Sequence, residues 1–413
     1  MADRPGDGGS APAAFGVGEV ERLGVAVRRA ERPGSEKEVQ TLLAAAHREG
    51  WTVLPVGGAT SPGVGVLPET VDLAVDTTGL DRVLAFDCQN LTLAVLAGMT
   101  VDAVNGFLAE QGRGFFLPLD PPQSDRATLG GCYGANASGP LRHLYGTLRD
   151  QVLGVRGVDA RGREVGFGGK TVKNVSGYDV TKFLVGSAGS LALITSISLR
   201  CLPIPEASAL CEAGFADPTG PVEAFLSELR GSVLVPSAVV LTEGPAGGCR
   251  ALVAFEGHPG AVERQVRDLE ALVRRHGGTA QCRDGRQALQ AALREAMDPE
   301  PLGPDRISVK VCVPIAAGAR TLAALRPLVD SPRKLALLAG TGVIHVSAAA
   351  GEGVPAERVR ALARAEGGHA VPVRGHRSPL GAWRSRGDDP VARYVLGPLK
   401  EQLDPTHVFP PIF

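Results

Sequence analysis

No stretch of this 413-residue sequence approaches the ~18 uninterrupted apolar residues of a membrane span, so any membrane association would come through a partner. Neither sign of charge is in excess: Lys+Arg is 43 against Asp+Glu 44, a formal charge of -1. That balance gives no footing to a nucleic-acid binder or a polyacidic partner. Lysine is scarce, at seven against 36 arginines, which a compositional bias explains more simply than dedicated binding sites would. Cys88, Cys132, Cys201, Cys211, Cys249, Cys282 and Cys312 are scattered, odd in number and never at CxxC spacing. They read as reduced, mostly buried thiols of a cytoplasmic protein, with no metal site built from them. The opening 22 residues lack a basic start followed by an apolar run, so they read as a flexible tail and not a secretory signal. What is present is ordinary globular material: 44% apolar and 21% charged residues, enough to bury a core. The length suggests about two to three domains. Glycine (54) and proline (31) are abundant without a G-X-Y period, so they belong to turns and loops.

Hydrophobic spacing places short elements along the chain. Val25–Arg28, Thr52–Pro55, Val71–Val75 and Leu91–Leu96 read as strands. Ser35 opens a helix, with Glu38 completing a capping box and Val39, Leu42, Leu43 and Ala46 on one face. Val101–Leu108 reads as another helix. The run from Ala127 to Gly146 is too rich in Gly, Ala and Asn for a packed helix or strand, and suits backbone lying close to a flat ligand. Leu191–Leu199 is β-rich, and Leu202-Pro203-Ile204-Pro205 marks a domain boundary. Beyond it, Ala238–Leu241, Ala251–Phe255, Ile307–Val313 and Val343–Ala348 alternate with helices at Val262–His276, Ala319–Val329 and Ala356–Ala365. That pattern suggests an antiparallel sheet covered on one side by helices.

Two phosphate-binding signatures fail. Gly169-Lys170-Thr171 has Glu164 where a Walker A motif needs glycine, and no GxGxxG follows a strand. The strongest local signal is PVGGATSPGVG, residues 55–65. Consecutive backbone N–H groups in a tight glycine turn form an anion-binding concavity, and Thr60 and Ser61 add hydroxyl donors. Alone, the same turn also reads as structural punctuation.

Residues 52–204 resemble the FAD-binding domain of the vanillyl-alcohol oxidase superfamily, the PCMH type. The matching pieces come in the family's order: PVGGATSPGVG, then LDPPQSDRATLGGCYGANASGPLRHLYGTLRDQVLGV, then GGKTVKNVSGYDVTKFLVGSAGSLALIT. The resemblance implies an α+β chain with a PCMH-type FAD-binding domain over 23–206 after a tail over 1–22. A smaller cap domain of antiparallel sheet and helices follows over 207–413, its C-terminal segment returning toward the flavin. Carried over by position, the pyrophosphate loop falls on Val56, Gly57, Gly58, Ala59, Thr60 and Ser61, with Gly65 beyond it. Flavin-ring and ribityl contacts fall on Leu129, Gly130, Gly131, Asn136, Ser138 and Gly139, and a last strand near Gly189 and Ile194 lies against the cofactor. Ala59 stands where the family usually has glycine, and Ala188 where an acidic residue is common. The first loop has no histidine for a covalent flavin link, so non-covalent FAD is expected. Lys170, Lys173, Tyr178, Asp179 and Lys182 are expected either to orient the flavin or a substrate carboxylate, or to form a hydrogen-bonded turn beside it.

Oxidation of a 2-hydroxy acid needs a base for the hydroxyl proton and a cation for the carboxylate. Catalytic members of the superfamily carry a motif like H-x-G-D-G-N-x-H. Here the equivalent run is Leu338 to His345, which keeps two glycines and His345 alone. His345 reads either as the base or as a core histidine, and Arg384 or Arg386 as the carboxylate clamp. One histidine cannot make the family's metal site. The ending Leu403–Pro411 resembles the family's FDPxGIxNPG, with Pro410 at the asparagine position. An intact cradle with eroded substrate chemistry suits an FAD-carrying subunit of a glycolate oxidase type of complex. Such a subunit would serve a small 2-hydroxy acid (glycolate or D-lactate) beside a second flavoprotein subunit and an iron–sulfur subunit, peripheral to the inner face of the membrane. A self-sufficient dehydrogenase and an inactive binding module are the other two readings.

Overall fold

The computed structural model describes residues 15–112, 114–169, 180–217, 220–244, 247–298, 306–330, 333–349, 354–376 and 392–411. Lys170, Lys173, Tyr178, Asp179, Arg384 and Arg386 lie outside them. The first lobe is built mainly from two sheets, beside a short pairing of Phe115–Phe116 with Leu202–Pro203. Thr70–Asp76 runs parallel between Ala26–Glu31 and Val53–Val56. A five-stranded antiparallel sheet follows, in spatial order Val83–Asp87, Thr92–Leu96, Leu193–Arg200, Val152–Val158 and Glu164–Gly168. The helix Glu36–Glu49 starts where its cap dictates: Ser35 accepts from the Glu38 amide, and the Glu38 carboxylate takes the Gly34 amide and the Ser35 hydroxyl. Val39, Leu43 and Ala46 bury its apolar face against Val53, Leu73 and Val75.

The second lobe is an eight-stranded antiparallel sheet. Its order is Thr279–Asp284, Ala207–Phe215, Cys249–Gly257, Ala238–Glu243, Lys334–Leu338, Val343–Ala349, Arg306–Cys312, His369–Arg374. Period-2 alternation splits its side chains between two faces. Leu241, Val253, Phe255, Leu337 and Ile344 pack with Phe225, Leu269, Leu322 and Val359 of four helices on one side. The other side takes one helix, Arg286–Met297, through Leu289, Leu293 and Met297. The expected covering of one face only is therefore corrected: Arg286–Met297 lies on the face turned to the first lobe, where it meets that lobe directly. Arg294 there bonds both carboxylate oxygens of Asp102 at 3.0 Å. Nearby, Arg286 stacks 3.9 Å over Phe116 and bonds Glu256, which also accepts from Tyr145 of the first lobe at 3.0 Å.

Three further expectations are corrected. Of the expected tail over 1–22, Phe15–Arg22 is a helix, because Val20 is buried and Glu19 pairs with Arg374, and residues 1–14 lie outside the described residues. The glycine-rich run holds a helix, Leu129–Ala135, capped by Thr128 at one end and by Asn136 in the left-handed region at the other. Cys211 and Cys282 are not free thiols: strand register sets them opposite each other, Cα atoms 4.1 Å apart, and they are bonded.

The chain closes by returning to the first lobe. From the helix Gly397–Leu403, the Lys400 ammonium donates to the Ser190 and Phe409 carbonyls and to Asp404 at 2.6 Å. Asp404, fully buried, accepts from the Val408 and Phe409 amides. The Val53 amide then donates to Val408, joining this segment to the first sheet. Among the described residues no helix is long and apolar enough to cross a membrane. Asp404→Ala strands a buried ammonium and two amides, so it is expected to cost about 3–5 kcal/mol in urea unfolding. A loss below about 1 kcal/mol would show the pair to be hydrated and dispensable.

Candidate functional site

A cleft crosses the first lobe between the loop after Val53–Val56 and the helix Leu129–Ala135. It encloses about 1020 Å³, its open mouth included, which suits a dinucleotide-sized ligand. One wall is the loop Gly57–Ser61. A Cβ on Gly58 would stand 1.8 Å from the Arg126 carbonyl oxygen, and one on Gly57 2.3 Å from Thr128 Oγ1. Only glycine lets these two backbones touch. Ala59 sits at φ +50° and Ala188 at φ +52°, left-handed positions held by residues with a Cβ. The amides of Gly58, Ala59, Thr60 and Ser61 have no acceptor among the described residues. A row of unmatched donors on a positively curved turn fits a phosphate group.

Val56, Gly57, Gly58, Ala59, Thr60, Ser61, Gly65, Gly130, Gly131, Gly189 and Ile194 all line this cleft. Leu129, Asn136 and Gly139 do not. Leu129 is fully buried in the core beneath the helix, Asn136 is its C-cap, and Gly139 packs where a Cβ would stand 1.7 Å from the Asp120 carbonyl oxygen. Sequence reasoning missed Val20, Thr77, Thr128 and Ala135 of the lining. Pro410 stands in the same wall, as its place in the closing segment suggested. Cys132 is no nucleophile: burial pushes its thiol up to about 12.

A second cavity adjoins the first, since Thr60, Ser61, Val64 and Ala135 line both. Ser138 belongs here, its hydroxyl accepting from the Leu148 amide. The far wall is the second lobe's sheet. Register aligns Lys334, Ser347, Ser308 and Arg374 in one row and Ala336, His345 and Lys310 in the next, all facing this cavity. His345 Nε2 and Ser347 Oγ are buried there with no hydrogen-bond partner among the described residues. Burial, with Lys310 and Arg142 nearby, pushes the His345 imidazole down to about 3. Lys334 is committed to the carbonyls of Glu295 and Asp298. Ser308, Lys310, Ser347 and Arg374 escaped the sequence reading, although polar residues alternating with Val309, Val311, Val346 and Ile344 were its only available signal. Among the described residues no group of three or more His, Cys, Asp or Glu is placed to hold a metal.

Residues 28–181 match a family described as FAD binding domain. Over 338 residues the chain is 27% identical to the mitochondrial D-lactate dehydrogenase [cytochrome] of Arabidopsis thaliana, covering 76% of this chain and 58% of that one. Over 127 residues it is 36% identical to glycolate oxidase subunit GlcE of Escherichia coli (strain K12), 30% of this chain and 36% of that one. The chain thus spans less than two thirds of the length of these curated relatives. The fold of xylooligosaccharide oxidase from Myceliophthora thermophila C1 superposes with a TM-score of 0.70 at 15% identity, covering 95% of this chain and 92% of that one.

With a pKa near 3, the folded protein holds His345 neutral where the unfolded chain takes up its proton near pH 6.5. The native state therefore loses stability as pH falls from about 6.5 toward 3. Melting temperatures across that window are expected to fall less steeply for His345→Gln than for the parent, whereas parallel curves would contradict the buried neutral imidazole. Gly58→Ala, by driving the loop off Arg126, is expected to abolish flavin retention on gel filtration; a retained yellow protein would show that the loop can shift.

Proposed function

We propose that the chain, whose residues 28–181 match an FAD binding domain, is of the PCMH type and is a flavin-dependent oxidoreductase acting on a small 2-hydroxy acid. We place it as a GlcE-like subunit of a glycolate-oxidizing complex. The observation that carries this reading is the contrast between the two cavities. The cofactor cleft keeps Gly57, Gly58, Gly130 and Gly131, its unmatched amides and its closing segment. The adjoining cavity keeps one histidine of the family's motif, with Leu338 in place of the other. The likeness to a D-lactate dehydrogenase and to a glycolate oxidase subunit supports the substrate class.

In this reading the loop Gly57–Ser61 and the helix Leu129–Ala135 bind non-covalent FAD, which supplies the hydride acceptor when bound. The polar rows of the sheet bind the acid. Lys310 gives the cavity a positive charge for a carboxylate, and Ser308 and Ser347 offer hydroxyls. His345 can accept a hydrogen bond from the substrate hydroxyl at Nε2. Its depressed basicity makes it a poor proton acceptor, so it orients the hydroxyl without completing general-base chemistry. With Leu338, Thr341 and Val343 at the motif's other polar positions, turnover is assigned to a complex with a second flavoprotein subunit and an iron–sulfur subunit.

The test is an anaerobic visible spectrum of the chain purified alone, before and after glycolate or D-lactate. An oxidized flavin spectrum that persists with substrate, and bleaches once the partner subunits are added, is the expected result. Bleaching by the isolated chain would make it a self-sufficient dehydrogenase. Absence of flavin together with absence of partner binding would overturn the assignment. Flavin remaining in the pellet after acid precipitation would contradict non-covalent attachment.

A further inference from the structure

The phosphate-facing loop has no lysine and no arginine of its own. Among the described residues, two guanidinium groups reach it from elsewhere. Arg126 Nη2 donates to the Gly58 carbonyl at 3.3 Å from the segment that precedes the helix Leu129–Ala135. Arg374 Nη1 donates to the Ala59 carbonyl from the last strand of the second lobe, 315 positions away. Arg374 is 3% exposed and also pairs with Glu19 of the N-terminal helix. Burial lowers the pKa of Arg374, Glu19 opposes that, and the neighbouring Arg126 guanidinium adds to it. Arg374 Nε is buried without a hydrogen-bond partner among the described residues.

In a planar trans peptide the C=O and the next residue's N–H point in opposite directions. A donor fixed on the Gly58 carbonyl therefore turns the Ala59 amide the other way, and one fixed on the Ala59 carbonyl turns the Thr60 amide. Both residues line the cleft, and both amides lack an acceptor among the described residues. The left-handed φ of Ala59 is the local strain that this double anchoring sustains. Glu19 offsets one of the two charges held under the turn, and the remaining positive charge favours an anion on its other side.

We propose that Arg126 and Arg374 are positioning residues for the cofactor's pyrophosphate. They hold the Gly58 and Ala59 carbonyls outward, aim the Ala59 and Thr60 amides into the cleft, and supply the positive charge that the loop lacks. The inference rests on FAD as the cofactor and not on any substrate. It makes the phosphate site a joint product of the N-terminal helix, the first lobe and the second lobe's edge strand.

The test uses the full chain stripped of flavin, titrated with FAD and with riboflavin, which lacks the pyrophosphate, while flavin fluorescence is followed. Arg374→Met and Arg126→Met are each expected to weaken FAD at least tenfold and leave riboflavin unchanged. They are also expected to flatten the salt dependence of FAD binding. Arg374→Lys, which keeps the charge, is expected to recover the salt dependence and part of the affinity. Equal losses for FAD and riboflavin, accompanied by a lowered melting temperature, would reduce both arginines to packing and overturn the proposal. Unchanged FAD affinity would overturn it too. A parent chain that binds riboflavin but gains nothing from the pyrophosphate would refute the phosphate site itself, and one that binds neither flavin would refute the cofactor assignment with it.

Discussion

The backbone contact between Gly58 and Arg126 is the constraint on which the rest of the cofactor cleft depends. It brings together two segments 68 positions apart with no side chain between them. Because the two backbones touch, the path of the loop past Arg126 is fixed at Gly58. The cleft's other features follow from that path. Thr128 can cap the helix Leu129–Ala135 and still meet Gly57, and the helix then presents Gly130 and Gly131 to the same space. A loop that floated free would leave the same donors to water, where they would have no preference for a phosphate.

The second lobe does more than roof the cleft. Its sheet turns an apolar face to four helices and a mixed face to the first lobe, so the polar rows around His345 and Ser347 are possible only because the lobes cover them. The seam carries a polar network beside its apolar contacts: Arg286 and Tyr145 share Glu256, Arg294 grips Asp102, and the Gln123 amide donates to Asp298. Asp120 shows how closed this seam is, since burial and the neighbouring Glu256 carboxylate raise its carboxyl to about 8. A protonated carboxyl can sit beside Glu256 without repulsion, which a charged one could not.

Local signals were legible in the sequence and long-range ones were not. The Ser35–Glu38 box and the amphipathic helix near Val262–His276 depend on residues a few positions apart, and both formed as their patterns required. The glycine loop was legible because a close backbone approach demands glycine whatever surrounds it. The helix Phe15–Arg22 was not: its two glycines argue against helix, and it is held by Val20 burial and the reach of Arg374. The helix Leu129–Ala135 carries three glycines and depends on its two caps. Strand register decides which residues join the second cavity, and it alone brings Cys211 to Cys282 across 71 positions. Neither pairing leaves a mark in either segment taken by itself.

The anchoring of Ala59 by Arg374 has a consequence for biosynthesis. Translation delivers the chain from its N-terminus, so the glycine loop leaves the ribosome long before the strand that secures it. Until residue 374 has emerged and the second lobe has closed, the loop lacks its Arg374 anchor and Glu19 has Arg22 of its own helix as its partner. Where both arginines are needed, as proposed above, cofactor capture falls at the end of folding. A ribosome-bound or truncated first lobe would own nearly all the residues of the dinucleotide cleft and still be a poor competitor for the cellular flavin pool.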